Sequence, residues 1–213
     1  MLDDGVSGDG DAGDGIYGAR LPAFSHNSQI RFRIHVQENG ETVAISPRPM
    51  DDDVDRSHEV WGYYVNDNQP SSDLPVFQVL IDGVDGSDFR EVDESLHCRI
   101  LRPASFAFQG ELYPDISLRF RGNTACMINK RNFKLRFNRG RPFDGLGDFG
   151  LKKINLNGMW TDKAIIREKL AWDVVEEMGA PYMETFFLRL HVSGEYFGLF
   201  LYVEHPDNRF LER

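Results

Sequence analysis

Cysteine is scarce: Cys98 and Cys126 are the two in 213 residues. Two thiols make neither a disulfide scaffold nor a four-thiolate zinc site, and a single bridge between them is left open. Long apolar runs are missing. No stretch reaches the roughly 18 consecutive apolar residues of a membrane helix, so no helical membrane span is expected. The opening Met1-Leu2-Asp3-Asp4-Gly5 lacks the basic and apolar regions of a signal peptide. The six histidines (His26, His35, His58, His97, His191, His205) show no metal-ligand spacing and no visible pairing with a Ser or Cys nucleophile, so a hydrolase triad has no support. No internal repeat is visible. What is present is enough for a core: 41% hydrophobic and 12% aromatic residues exclude wholesale disorder.

Charge divides the chain. Residues 1–95 hold 20 acidic and 6 basic side chains, whereas residues 96–213 hold 14 acidic and 18 basic. Two units with different partners follow from this asymmetry. Residues 1–66 are read as an acidic, β-sandwich-like module, incomplete as it stands, 67–73 as a linker and 74–213 as a second unit. Residues 29–36 alternate Ile30, Phe32, Ile34 and Val36 against Arg31, Arg33 and His35, the period of a strand. Asn39-Gly40 signals a hairpin turn into 43–46. Residues 47–59 read as a solvated connection. Further strands are expected at 60–65, 76–81, 98–101, 116–120, 133–137, 153–156, 186–192 and 196–204. A helix is expected over 163–178, with Ile166, Leu170, Val174 and Met178 on its buried face. Thr161 or Asp162 can cap it, and Gly179 and Pro181 end it. This order predicts an α+β fold, an antiparallel sheet packed on one main helix, preceded by the small sandwich-like module.

The most informative stretch is acid-free. No Asp or Glu lies between Asp115 and Asp144, while Arg119, Arg121, Lys130, Arg131, Lys134, Arg136, Arg139 and Arg141 all do. Strand alternation puts Ile116, Leu118 and Phe120 on one face and Arg119 and Arg121 on the other. It likewise separates Phe133, Leu135 and Phe137 from Lys134 and Arg136. Paired, the two strands present a cationic face suited to a polyanion such as a nucleoside triphosphate. The plainer alternative is a solvated polar face balanced by the acidic first half. Nucleic acid is disfavoured by that acidic half and by the few aromatics among the basic residues.

These residues carry a family resemblance. Arg121-Gly122-Asn123-Thr124 with Asn129-Lys130-Arg131-Asn132-Phe133-Lys134-Leu135-Arg136-Phe137 resembles the signature of the CotH family, spore-coat-type atypical protein kinases. Phe149-Gly150-Leu151-Lys152-Lys153-Ile154-Asn155-Leu156-Asn157, Asp162 with Ile166-Arg167-Glu168-Lys169-Leu170-Ala171, and the segment from Arg189 to Glu204 are similar to further family motifs in the same order. The resemblance covers about the last two thirds of the chain and the amino-terminal part of the family domain. It implies a fold like a protein-kinase small lobe and phosphoryl transfer from ATP to protein Ser/Thr, with magnesium as the accompanying metal. Lys130 matches the first signature lysine and is the expected phosphate holder, with Lys134 as second choice and Arg121 beside them. Arg167 is expected at a phosphate or a carboxylate, Glu168 as the lysine's partner, and Tyr202 and Glu204 where a hinge passes the adenine. Metal-holding carboxylates would follow the hinge in kinase order, so the chain resembles a small lobe without its catalytic lobe and is expected to be inactive alone. Asp148-Phe149-Gly150 spells a familiar metal-binding tripeptide on the wrong side of that order and reads as a coincidence. A non-catalytic module whose basic face docks acidic protein or surface polymer is the alternative.

Asp9-Gly10-Asp11-Ala12-Gly13-Asp14-Gly15 resembles a calcium loop, with Asp9, Asp11 and Asp14 as candidate ligands. It also resembles the opening of Ig-like modules of secreted bacterial proteins, in which the aspartates shape turns. The second reading is preferred, and it places the chain at the cell surface or outside. Trp61, Trp160 and Trp172 read as core or rim.

Overall fold

The computed structural model describes residues 1–46, 60–68, 71–81, 100–122, 128–138, 140–146, 150–207 and 210. Cys98, Cys126, Arg139, Asp148, Phe149 and the 47–59 connection lie outside the described residues.

Seven strands form the centre: β5 (Val76–Leu80), β6 (Arg102–Phe108), β7 (Glu111–Arg121), β8 (Asn132–Arg136), β9 (Lys153–Asn157), β10 (Thr185–Val192) and β11 (Glu195–Val203). They run in the order β7-β6-β5-β10-β11-β9-β8, and β8 pairs back to β7. The sheet therefore closes on itself as a barrel, which leaves these strands no free edge. All neighbours are antiparallel except β5 and β10, where Leu190 lies opposite Phe77 in a parallel pair.

Period-two alternation fills the interior. Phe77, Phe106, Leu118, Phe120, Phe133, Leu135, Ile154, Leu156, Leu190 and Phe200 all turn inward and are at most 4% exposed. Phe77 meets Phe106 edge-on at 5.1 Å between ring centroids. Phe143, from the loop after β8, enters fully buried and stacks on Phe137 at 5.3 Å. Such aromatic contacts favour one arrangement of the core over its alternatives.

β7 changes partners along its length. Glu111 faces Tyr63 of β4 (Trp61–Tyr64), and residues from Ser117 onward face β8. Between them Pro114 offers no N–H, Asp115 has φ +55°, and the β6–β7 register shifts between Ala104 and Phe106. This bulge bends the strand so that one chain serves two neighbours. β1 (Gln29–Phe32) pairs with β4, so the large sheet runs through residues on both sides of 67–73. The strand expected over 29–36 breaks at Arg33. Its second half, β2 (Ile34–Glu38), forms a separate hairpin with β3 (Glu41–Ser46) across Asn39-Gly40. Both turn residues have positive φ, as a tight hairpin requires.

The fold differs from expectation in its class. Among the described residues there are eleven strands and one helix, α1 (Arg167–Glu177), so the molecule is mostly β, with a large mixed sheet, and is not an α+β fold on a main helix. No residue of α1 is buried. Leu170, Val174 and Met178, expected in the core, are 51%, 54% and 75% exposed. The physical reason is closure: the barrel buries its inner apolar face against itself, and its outer apolar residues are covered by the segments beside α1 and not by the helix. The segments flanking α1 do pack, with Met159, Ile165 and Met183 joining Leu201, Val203 and Phe187 on the outer surface. No sandwich precedes the barrel among the described residues, because β2 and β3 pair only with each other and are largely exposed.

Candidate anion-binding face

The outward residues of β7, β8 and β9 line up across the barrel wall. Arg119 lies opposite Lys134, Lys134 opposite Asn155, and Asn155 opposite Val203 of β11. The row below joins Ser117, Arg136 and Lys153, and Arg121 continues the face at the end of β7. Arg119, Arg121, Lys134, Arg136 and Lys153 thus share one surface. Among the described residues none of the five forms an ion pair with a carboxylate.

Lys134 is the centre of this field and is 9% exposed. Burial first, then the charges of Lys153, Arg119, Arg136 and Arg121, lower its pKa to about 8. Its Nζ lies 3.3 Å from Nε2 and 3.4 Å from Nδ1 of His205. Burial and then the Lys134 charge push His205 down to about 4, so a neutral imidazole faces the ammonium at neutral pH. Asn155 donates through Nδ2 to the carbonyls of Val203 and Glu204, both at 3.3 Å, while its buried Oδ1 has no hydrogen-bond partner. Five cations on one strand-built wall have the chemistry that a phosphate-type anion requires.

The remaining expected residues scatter. Lys130 lies with its Nζ 5.1 Å above the Phe200 ring, and its pKa is lowered by burial; it makes no ion pair with Glu168. Its backbone is pressed against Gly158, where a Cβ would sit 2.5 Å from the Lys130 carbonyl oxygen. Arg121 does reach Glu168, through Asn157: its Nη1 donates to Asn157 Oδ1 at 2.6 Å, and Asn157 Nδ2 donates to both Glu168 oxygens at 2.8 and 2.9 Å. Arg167 points to solvent at the start of α1, its Nε 3.4 Å from Asp162 Oδ1. Tyr202 faces the barrel interior and stacks on Phe186 at 4.5 Å, so its ring is not on this face. Glu204 donates its N–H to the Glu184 carbonyl and accepts the Glu184 N–H on its carboxylate.

The alternation of Lys153, Asn155 and Asn157 with Ile154 and Leu156 already carried the signal for three residues that the motif reading passed over. His205 gave no such signal, because its neighbour Lys134 is 71 positions away in sequence.

The amino-terminal aspartates close turns. Asp9 Oδ2 accepts the N–H groups of Asp4 and Gly5, and Asp14 accepts those of Asp11 and Ile16. Among the described residues no three Asp, Glu, His or Cys side chains gather as a metal would require. No helix among them is long and apolar enough to cross a membrane.

Residues 118–213 match the family model described as CotH kinase protein. The inner spore coat protein H of Bacillus subtilis (strain 168) is 25% identical over 142 residues, 67% of this chain and 37% of that protein. The chain thus spans little more than a third of that relative's length.

Proposed function

From the match of residues 118–213 to the CotH family model, we propose that this chain binds the phosphates of a nucleotide on the outer cationic face of its barrel. The observation that carries the reading is the set of five cations, Arg119, Arg121, Lys134, Arg136 and Lys153, without a carboxylate partner among the described residues. Bound ATP supplies the transferable phosphoryl group, for delivery to a protein Ser or Thr by the full family domain. Lys134 and Arg121 hold the phosphate oxygens, Arg119 and Lys153 add to the field, and the rigid strands fix their spacing. The described residues gather no carboxylates for magnesium, so the proposal assigns this chain the phosphates and not the metal. The name of the Bacillus relative supports a place in a surface layer such as a spore coat.

A second reading draws on the same missing carboxylates: a non-catalytic module docking an acidic protein or surface polymer on this face. Thermal unfolding separates the two. Ligand that binds the native state raises the midpoint, by an amount that grows with the logarithm of concentration over dissociation constant. ATP is expected to raise it, and Lys134→Ala to abolish the rise. Stabilisation by polyglutamate with none by ATP would reject the nucleotide reading in favour of the second.

A further inference from the structure

One neutral amide holds two opposite charges apart where three elements of this face meet. Asn157 ends β9 and is 7% exposed. It accepts from Arg121, the last residue of β7, and donates to Glu168, in the first turn of α1. Arginine and carboxylate would otherwise favour a direct bidentate pair. Among the described residues no such pair forms, although the Glu168 charge is felt at the guanidinium. An arginine has five N–H donors, and Asn157 engages one of them.

We infer that Asn157 is a positioning residue, a spacer that orients Arg121 toward an anion on the cationic face and denies Glu168 the ion pair that would neutralise it. This role rests on the anion-binding reading above. The same amide ties α1 to the barrel wall. That tie matters because the helix has no buried residue of its own, and its apolar stripe faces solvent. Asn157 therefore couples the placement of the helix to the charge available on the strand. Remove the amide, and Arg121 and Glu168 are free to close on each other. The cation is then spent internally, and the start of α1 loses its bond to β9.

Titration of the whole chain with ATP, and separately with tripolyphosphate, tests this. Asn157→Ala is expected to weaken both by about tenfold, the loss of one charge-assisted contact. Adding Glu168→Gln in that background removes the competing carboxylate and restores most of the affinity. Asn157→Asp, nearly the same shape, places a carboxylate against Arg121 itself. It weakens binding too, and Glu168→Gln does not rescue it. Hydrogen exchange supplies a readout independent of ligand: α1 amides exchange faster in Asn157→Ala, while those of β5 and β6 are unchanged. General structural damage predicts no rescue in either background. If the unsubstituted chain binds neither polyphosphate, the site reading fails and the spacer role with it. If it binds and Asn157→Ala binds equally well, the spacer role alone is overturned.

Discussion

Lys134 has four cationic neighbours acting on it and an uncharged imidazole against it, so its proton is held loosely. An anion on this face needs that proton. Affinity for ATP should therefore fall as pH rises through about 8, and Lys134→Arg should carry binding to higher pH. Calorimetry between pH 7 and pH 9 reads this directly, and a flat profile in the unsubstituted protein would place the anion elsewhere. His205 makes a separate prediction about stability. Its pKa falls from 6.5 to about 4 on folding, so the unfolded chain takes up the proton first as the solution is acidified. Above pH 6.5 both states are neutral at this group and it contributes nothing. Between 6.5 and about 4 the unfolded state binds more protons, and stability is lost. His205→Gln should flatten that part of the midpoint-against-pH curve. An unaltered acid limb would mean that His205 is not shielded as described. At this scale the sequence was legible wherever alternation decides a face: Arg119, Arg121, Lys134 and Arg136 point where period two puts them. Lys130 and Tyr202 lie off that outer row, because position in a motif does not specify which side of a barrel wall a side chain takes.

At the scale of elements, α1 shows what a helical period does and does not tell. Spacing of four correctly announced a helix, and Gly179, with φ +69°, ends it as expected. The same spacing gives an apolar stripe without naming what covers it, and here the strands had already covered themselves. The start is held by Asp162, whose carboxylate accepts the N–H groups of Ala164, Ile166 and Arg167. Asp162→Ala should therefore lower the denaturant midpoint measurably, because it frees three N–H groups at the approach to the helix. Leu170→Ser, on the exposed stripe, should change stability by less than about 0.5 kcal/mol. The reverse ranking would mean that the stripe is buried in solution. Strand β6 lies where no strand was expected. Ala104, Phe106 and Phe108 alternate inward beside the Gln109-Gly110 turn, while Ser105 and Ala107 between them are buried too, which blurs the period of two.

For the molecule as a whole, the decisive event is the return of β8 to β7, which turns a sheet into a barrel and a row of basic residues into a convex wall. The pairing of these two consecutive strands was legible in their alternation; the long-range pairings that complete the ring were not. The parallel pairing of β5 with β10 and the pairing of β9 with β11 join segments far apart in sequence, and the buried aromatic cluster spans the strands they bring together. Phe143 fills the interior from a loop, so Phe143→Ala should cost about 3–5 kcal/mol, with a matching drop in denaturant midpoint. A loss below about 1 kcal/mol would show that the barrel does not depend on this plug. The central claim is that the cationic outer wall of β7, β8 and β9 receives the phosphates. A nuclear magnetic resonance titration of the labelled chain with ATP tests it most directly. The account predicts that the perturbed amides cluster at Arg119, Arg121, Lys134, Lys153 and Asn155; shifts confined to other surfaces, or none at saturating ATP, would contradict it.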